Sequence, residues 1–421
     1  ELNAVERALL KEASQFDWSK VRPEIFGTIF EHSLGKEERH ATGAHYTTPV
    51  DIMKIVGPTI VEPWQQAIDS AKTLTEMQTL INRLQTFIVL DPACGSGNFL
   101  FTAYREIKRL EARLYSRMAE KFKSVDPNQR TLGFVTTTNF YGMDVNPFAV
   151  EIAKVTMMLA HKLSIDELHV SEAALPLDNL DGTIQHRDAL VMADGSRTPW
   201  PKADVIIGNP PFLGAKKLKP ELGATYMGKV RAAYPEVPGM ADLCVYWIRR
   251  THDALPTCVT ENPFSGRAGL VGTQNIRSNE SRVGGLDYVV SSGTIVEAVD
   301  SQPWSGEANV HVSIANWVKS QDKAVLPTDR RLWFKVKPGA SMKKRPAGVT
   351  VSKHYELDLR KVSFINSALS DKTDLMNAVV LSCNTSPKRT FQGVTPGHED
   401  FVLESAEAMQ LIAKEPNASD L

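Results

Sequence analysis

"FIVLDPACGSGNF", residues 87–99, carries the change of character that decides the fold. Phe87 to Leu90 form a short apolar run, which reads as a buried strand. Asp91 and Pro92 end it, and Gly95 and Gly97 make a turn. Apolar residues then return at helical spacing, at Ala103, Ile107, Leu110, Leu114 and Met118, which predicts a helix over about 99–121. Strand, glycine-rich turn and helix form the opening unit of an alternating α/β fold.

The same succession continues downstream. "FYGMDVNPFAVEIAKVTMMLAHKL" is again strand, turn and helix, with Asn146 as cap and Pro147 in the first turn. "GTIQHRDAL", "ADVIIGNPPF", "GRAGLVGTQNI", "GTIVEAVDS" and "VHVSIANWVKS" read as further strands. The expectation is a mostly parallel, seven-stranded sheet with helices on both faces. Upstream, "VRPEIFGTIFEHSL" has helical spacing, and Thr48 can cap a helix that starts at Pro49. "LTEMQTLINRLQ" is another helix. Past Ser320 the alternation fades. The expected organisation is a helical segment over 1–42, a catalytic domain over 43–320, and a basic linker with the beginning of a further domain over 321–421.

Composition narrows the class. The 421 residues are 42% hydrophobic and 23% charged, with a net charge of −1, as in soluble globular proteins. No apolar run approaches the ~18 residues that would suggest a membrane span, and no secretory segment opens the chain. Cys94, Cys244, Cys258 and Cys383 are scattered without any C-x-x-C pair, so neither a zinc site nor a disulfide framework is expected. A cytoplasmic setting is the default. The first residue is Glu1, which points to a fragment or a processed chain. Residues 330–353 carry eight basic residues and no acidic one; such a run is either a solvated face or a phosphate contact.

In parallel sheets, ligands gather at the carboxyl ends of the strands. Here three acids stand there. Asp91 ends the first strand, beside a glycine turn that is not G-x-G-x-x-G. A carboxylate at that place repels a pyrophosphate and favours a ligand with an ammonium group. Asp144 ends the second strand, where a carboxylate suits the paired hydroxyls of a ribose, and Val145 can lie against a purine. Asp188 follows the third strand and can accept from an adenine amino group.

The fourth strand ends in Asn209, Pro210, Pro211 and Phe212. An exocyclic amine on adenine is a poor nucleophile, because its lone pair is delocalised into the ring. The Asn209 side-chain oxygen and the Pro210 carbonyl are two acceptors, held by prolines, that would draw the amine toward tetrahedral geometry. Phe212 would stack on the base, which must first leave its duplex. "GATYMGKV", residues 223–230, approaches P-loop spacing but lacks the Ser/Thr for magnesium and a preceding strand. The histidines show no metal spacing.

"DPACGSGNF", "NPPF" and "GAHYTTP" (residues 43–49) together resemble the motifs of amino-directed DNA methyltransferases that use S-adenosylmethionine, in the order of the gamma class. "DLCVYW" and "GRAGLVGT" resemble their later motifs. The resemblance implies a Rossmann-like class I methyltransferase acting on adenine N6 in double-stranded DNA, with no metal required. It implies that Tyr46, Thr47, Asp91, Ala93, Asp144, Asp188 and Asn209 surround the cofactor, with Gly95, Gly97 and Val145 beside them. Trp317 stands where the family has a second aromatic against the extruded base. "IFGTIFEHSLGKEERHATGAHYTTP", "NPPFLGAKKL" and "SGEANVHVSIANW" resemble the type IIG/IIL single-chain restriction–modification enzymes. On that resemblance the nuclease is expected to be absent from this chain and the target-recognition domain partial. Cytosine N4, a protein glutamine or an RNA amine remain alternative acceptors, and a catalytically silent DNA-binding subunit is an alternative of another class.

Overall fold

In a computed structural model of the chain, the described residues are 3–15, 47–122, 135–168, 179–304, 311–335 and 357–372. By its internal contacts the chain separates into Glu1–Met376 and Asn377–Leu421; the second unit lies outside the described residues. So do the helix expected over residues 21–34, Tyr46, and residues 336–353 of the basic run.

Among the described residues nine strands form one sheet: β1 (Val89–Asp91), β2 (Phe140–Asp144), β3 (Ile184–His186), β4 (Val205–Gly208), β5 (Arg267–Thr273), β6 (Thr294–Pro303), β7 (His311–Val318), β8 (Arg330–Lys335) and β9 (Leu357–Val362). Their order is β3-β2-β1-β4-β5-β7-β6-β8-β9. The first five pair in parallel. β7 is antiparallel to both β5 and β6, so β6 runs in the direction of β5. The seven expected strands are all present, in a Rossmann-like sheet. Two more extend it: β8 lies parallel to β6 and β9 antiparallel to β8. Both fall beyond residue 320, so the sheet continues past the point where the alternating pattern fades. Strands whose outer face meets solvent lose the continuous apolar run that marks a buried strand; β9 is mostly exposed.

The helices are α1 (Ala4–Gln15), α2 (Pro49–Val56), α3 (Glu62–Ser70), α4 (Leu74–Gln85), α5 (Asn98–Lys121), α6 (Pro147–Leu168), α7 (Leu218–Leu222), α8 (Ala224–Ala233), α9 (Cys244–Ala254), α10 (Asn279–Gly284) and α11 (Leu286–Ser292). Caps act where the sequence places them. Thr48 Oγ1 accepts from Asp51 N at the start of α2, and Asn146 Oδ1 accepts from Phe148 N and Ala149 N at the start of α6. The "GATYMGKV" segment is the start of α8.

Successive residues of a strand face opposite sides, and this divides the core in two. Val89, Val205, Ile207, Val271 and Ile314 pack with α2 to α6 on one face. Leu90, Ile206, Leu270, Ala315 and Trp317 pack with α8, α9 and α11 on the other. The parallel strands therefore end together at one edge, between two helical layers.

Candidate active site

Four loops meet at that edge. The first follows β1. Gly97 opens α5 with φ of 84°, and a Cβ there would stand 3.1 Å from the Ala153 backbone on α6. A side chain would be strained by conformation and by space. The glycine lets α5 and α6 approach while the turn doubles back, with Gly97 N donating to Cys94 O at 2.8 Å. From the opposite face, Trp247 Nε1 on α9 donates to Pro92 O at 3.0 Å. The "DLCVYW" stretch thus braces the glycine-rich turn.

Asp91 is fully buried. Its Oδ1 accepts from Ala93 N at 3.0 Å, whereas Oδ2 has no hydrogen-bond partner among the described residues. Burial pushes its pKa up to about 8, against the Ala93 N–H, which lowers it; the neighbouring Asp144 charge raises it further. A buried acceptor without a donor costs free energy unless a ligand satisfies it. Gly208, at the end of β4, leaves this carboxylate its room: a Cβ would come 2.5 Å from Asp91 Oδ1.

The second loop follows β2. Asp144 Oδ2 accepts from Gly95 N at 2.9 Å and Oδ1 from Asn146 N at 2.8 Å. One carboxylate therefore ties its own turn to the glycine-rich loop. Desolvation still raises its pKa, opposed by those two N–H groups. Val145 beside it is 57% exposed, an apolar side chain open at the edge. In the third loop Asp188 Oδ1 accepts from Leu190 N and Val191 N at 2.7 and 3.3 Å. The Tyr226 hydroxyl of α8 also bonds to Asp188; burial, and after it the Asp188 charge and this hydrogen bond, raise the tyrosine pKa. Asp188 is thus partly used in holding its own turn.

The fourth loop follows β4. Asn209 Nδ2 donates to Thr47 Oγ1 at 3.2 Å, while Asn209 Oδ1 is buried without a partner among the described residues. The amide is held by one end and offers the other. Phe212 meets the edge of Trp304, with ring centroids 6.1 Å apart and an interplanar angle of 81°. The loop continues under restraint. Leu243 N donates to Leu213 O at 2.9 Å. The buried Asp242 carboxylate accepts from Ala215 N at 3.3 Å, Thr273 Oγ1 at 2.6 Å and Asn275 Nδ2 at 3.0 Å.

A match to the family model described as "MmeI, DNA-methyltransferase domain" covers residues 64–327. The chain belongs to this family. Among curated relatives, it is 31% identical over 235 residues to DNA methyltransferase A of Bacillus subtilis, covering 52% of this chain and 26% of that protein. It is 24% identical over 221 residues to the adenine-specific methyltransferase PglX of Streptomyces coelicolor, covering 46% of this chain and 17% of that protein. Among solved structures, the type IIL restriction–modification enzyme MmeI in complex with DNA superimposes with a TM-score of 0.68 at 23% identity, over 99% of this chain and 53% of that one. The chain therefore spans about a quarter of the Bacillus relative and half of the MmeI chain.

Within this family frame, Thr47, Asp91, Ala93, Gly95, Gly97, Asp144, Val145, Asp188, Asn209, Pro210 and Phe212 all lie at the strand-end edge. Trp317 does not. It pairs with Ala268 near the start of β5, and the strand end, Thr273, is five residues or about 17 Å further on. Trp317 is also fully buried and packs on the face opposite to Phe212. The reason is direction: β7 runs against β5, so its last residues lie at the far edge. The aromatic that meets Phe212 at this edge is Trp304. It follows β6, which runs with β5 and so ends at the same edge as Asn209. Its signal in the sequence was "QPW" after an apolar run, but only strand direction makes it meaningful. Asp242 and Trp247 were visible as part of "DLCVYW", without any sign of what they hold.

Proposed function

We propose that this chain is the catalytic part of a DNA methyltransferase of restriction–modification type, which transfers a methyl group from S-adenosylmethionine to adenine N6. The observation that carries this reading is the buried, unpartnered Asn209 Oδ1, on an amide whose other end is anchored to Thr47. Such an acceptor suits an N–H of an extruded base. Polarising that amine concentrates electron density on nitrogen as it becomes tetrahedral, which is stabilisation aimed at the transition state. Phe212 and Trp304 supply aromatic surface against the ring. Pro210 and Pro211 keep the loop from relaxing away.

The residues present fit the cofactor. Asp91 Oδ2, buried and unpartnered, suits an ammonium group; Asp144 suits the ribose hydroxyls; Val145 and Asp188 suit an adenine ring and its amine. S-adenosylmethionine bound there would supply an electrophilic methyl group on a sulfonium. The protein's part is to place the amine, hold its N–H groups and exclude water. Adenine is favoured over cytosine by Asn at position 209, where enzymes directed to cytosine N4 more often have Ser. The name of the Streptomyces relative, which is adenine-specific, supports the same choice.

The test is incubation of duplex DNA with labelled S-adenosylmethionine, digestion to nucleosides and chromatography. N6-methyldeoxyadenosine is the expected product. N4-methyldeoxycytidine would reassign the base, and no methylated nucleoside would overturn the reading.

A further inference from the structure

The turn that leaves the Asn209–Phe212 loop is strongly basic. Residues 209–235 contain five basic residues and one acid, Glu221, in a chain whose net charge is −1. Two of the five have partners: Lys229 donates to Ala193 O and Arg231 to Gly239 O. The other three, Lys216, Lys217 and Lys219, are exposed, and among the described residues no acid pairs with them. They sit on the single turn Ala215–Lys217 and the start of α7.

This turn is not a loose surface segment. Asp242 Oδ1 holds its first N–H, at Ala215, and Oδ2 of the same carboxylate holds Thr273 and Asn275 at the end of β5. Gly214 O accepts from Lys217 N at 2.8 Å, and Leu218 is fully buried in the core. The backbone carrying the lysines is therefore fixed to the catalytic loop at one end and to the core at the other. Lys216 is four residues from Phe212, at most about 14 Å along the chain. With a lysine side chain added, that reach covers the phosphates on either side of a base drawn to Phe212.

We propose that Lys216, Lys217 and Lys219 form the phosphate-binding surface that holds the DNA strand flanking the extruded base. The proposal rests on the methyltransferase reading above and names the part of the site that grips the backbone. Phosphate contacts fix register without reading sequence, so these lysines act on any duplex. Their fixed backbone places that grip in constant relation to Asn209.

The experiment compares the chain with the triple variant Lys216→Gln/Lys217→Gln/Lys219→Gln and with the triple Lys→Arg variant. Fluorescence anisotropy of a short labelled duplex is followed over about 50–200 mM KCl, a range in which phosphate contacts dominate the salt dependence. The slope of log affinity against log salt should flatten by about 0.9 for each lysine lost, equally for unrelated duplex sequences. The KM for DNA should rise by about fivefold per lysine, the Coulomb scale for unit charges ~4 Å apart in water. S-adenosylmethionine affinity and kcat at saturating DNA should hold, and the Arg variant should behave like the parent. A glutamine variant with the parent slope and KM, while the parent methylates DNA, overturns the lysine assignment and leaves the methyltransferase reading standing. A lysine-dependent slope without methylated product does the opposite. A parent chain that neither binds nor methylates DNA overturns both.

Discussion

Cofactor binding should release a proton, and the proton should come from Asp91. In the free protein burial holds this carboxyl near pKa 8 against an ordinary 3.8. A ligand ammonium at the unpartnered Oδ2 favours the ionised form, so the bound state loses the proton that the free state keeps. At pH 7 about nine-tenths of free Asp91 is protonated, and at pH 6 about 99%, for a pKa near 8. S-adenosylmethionine affinity should therefore rise about ninefold from pH 6 to 7 and about fivefold from pH 7 to 8, roughly 1.3 and 1.0 kcal/mol. The linkage to stability has the same origin. Between 3.8 and about 8 the folded state holds a proton that the unfolded state has lost, so stability of the free protein falls as pH rises through that window. Calorimetry at pH 7 in buffers of different ionisation enthalpy measures the proton count; about 0.9 released per cofactor is expected. Asp91→Asn should bind weakly and release none. Affinity that is flat from pH 6 to 8, or proton release unchanged in Asp91→Asn, would refute the argument.

Asn209→Ala should lower kcat by about 10²- to 10³-fold, the loss typical of one transition-state acceptor or donor, with cofactor affinity near that of the parent; single-turnover methylation and calorimetry read the two separately. Phe212→Ala and Trp304→Ala should each weaken base capture by about 1–3 kcal/mol, seen as reduced 2-aminopurine fluorescence at the target position. Trp317→Ala should leave that signal intact and instead cost about 3–5 kcal/mol of stability by denaturant titration, because it empties a core site. Gly208→Ala would push a Cβ to 2.5 Å from Asp91 Oδ1; a stability loss of about 1–3 kcal/mol and weakened cofactor binding should appear together in thermal melts with and without S-adenosylmethionine, and a variant that melts and binds like the parent would mean that the carboxylate moves freely.

Much of the site was legible because it is written locally. A strand of Val and Ile ending in Asn-Pro-Pro-Phe, or a strand ending in Asp before two glycines, is a short segment whose backbone needs are met by its own residues. Asn146 and Thr48 cap their helices for the same reason. Trp304 was not legible in this way, and Trp317 was misplaced. Trp304 follows an apolar strand and Trp317 lies within one, and alternation tells which face a side chain takes without telling which way the strand runs. Likewise nothing near Asp242 announces that it joins Ala215 to Thr273 and Asn275.

The amino-acid order by itself determined most of the elements, the glycine turns and the acids and amide at the ends of the first four strands, since propensity, periodicity and capping act over a few residues. The tertiary structure decided what pairing at long range alone can decide. The reversal of β7 between β5 and β6 sends Trp317 to the far edge and brings Trp304 to Phe212. The contact of Asn209 with Thr47, 162 residues earlier in the chain, orients the amide. The burial of Asp91 beneath Gly208 moves its pKa from 3.8 to about 8. Each depends on which segments exclude water from one another, and that is a property of the packed sheet rather than of any stretch within it.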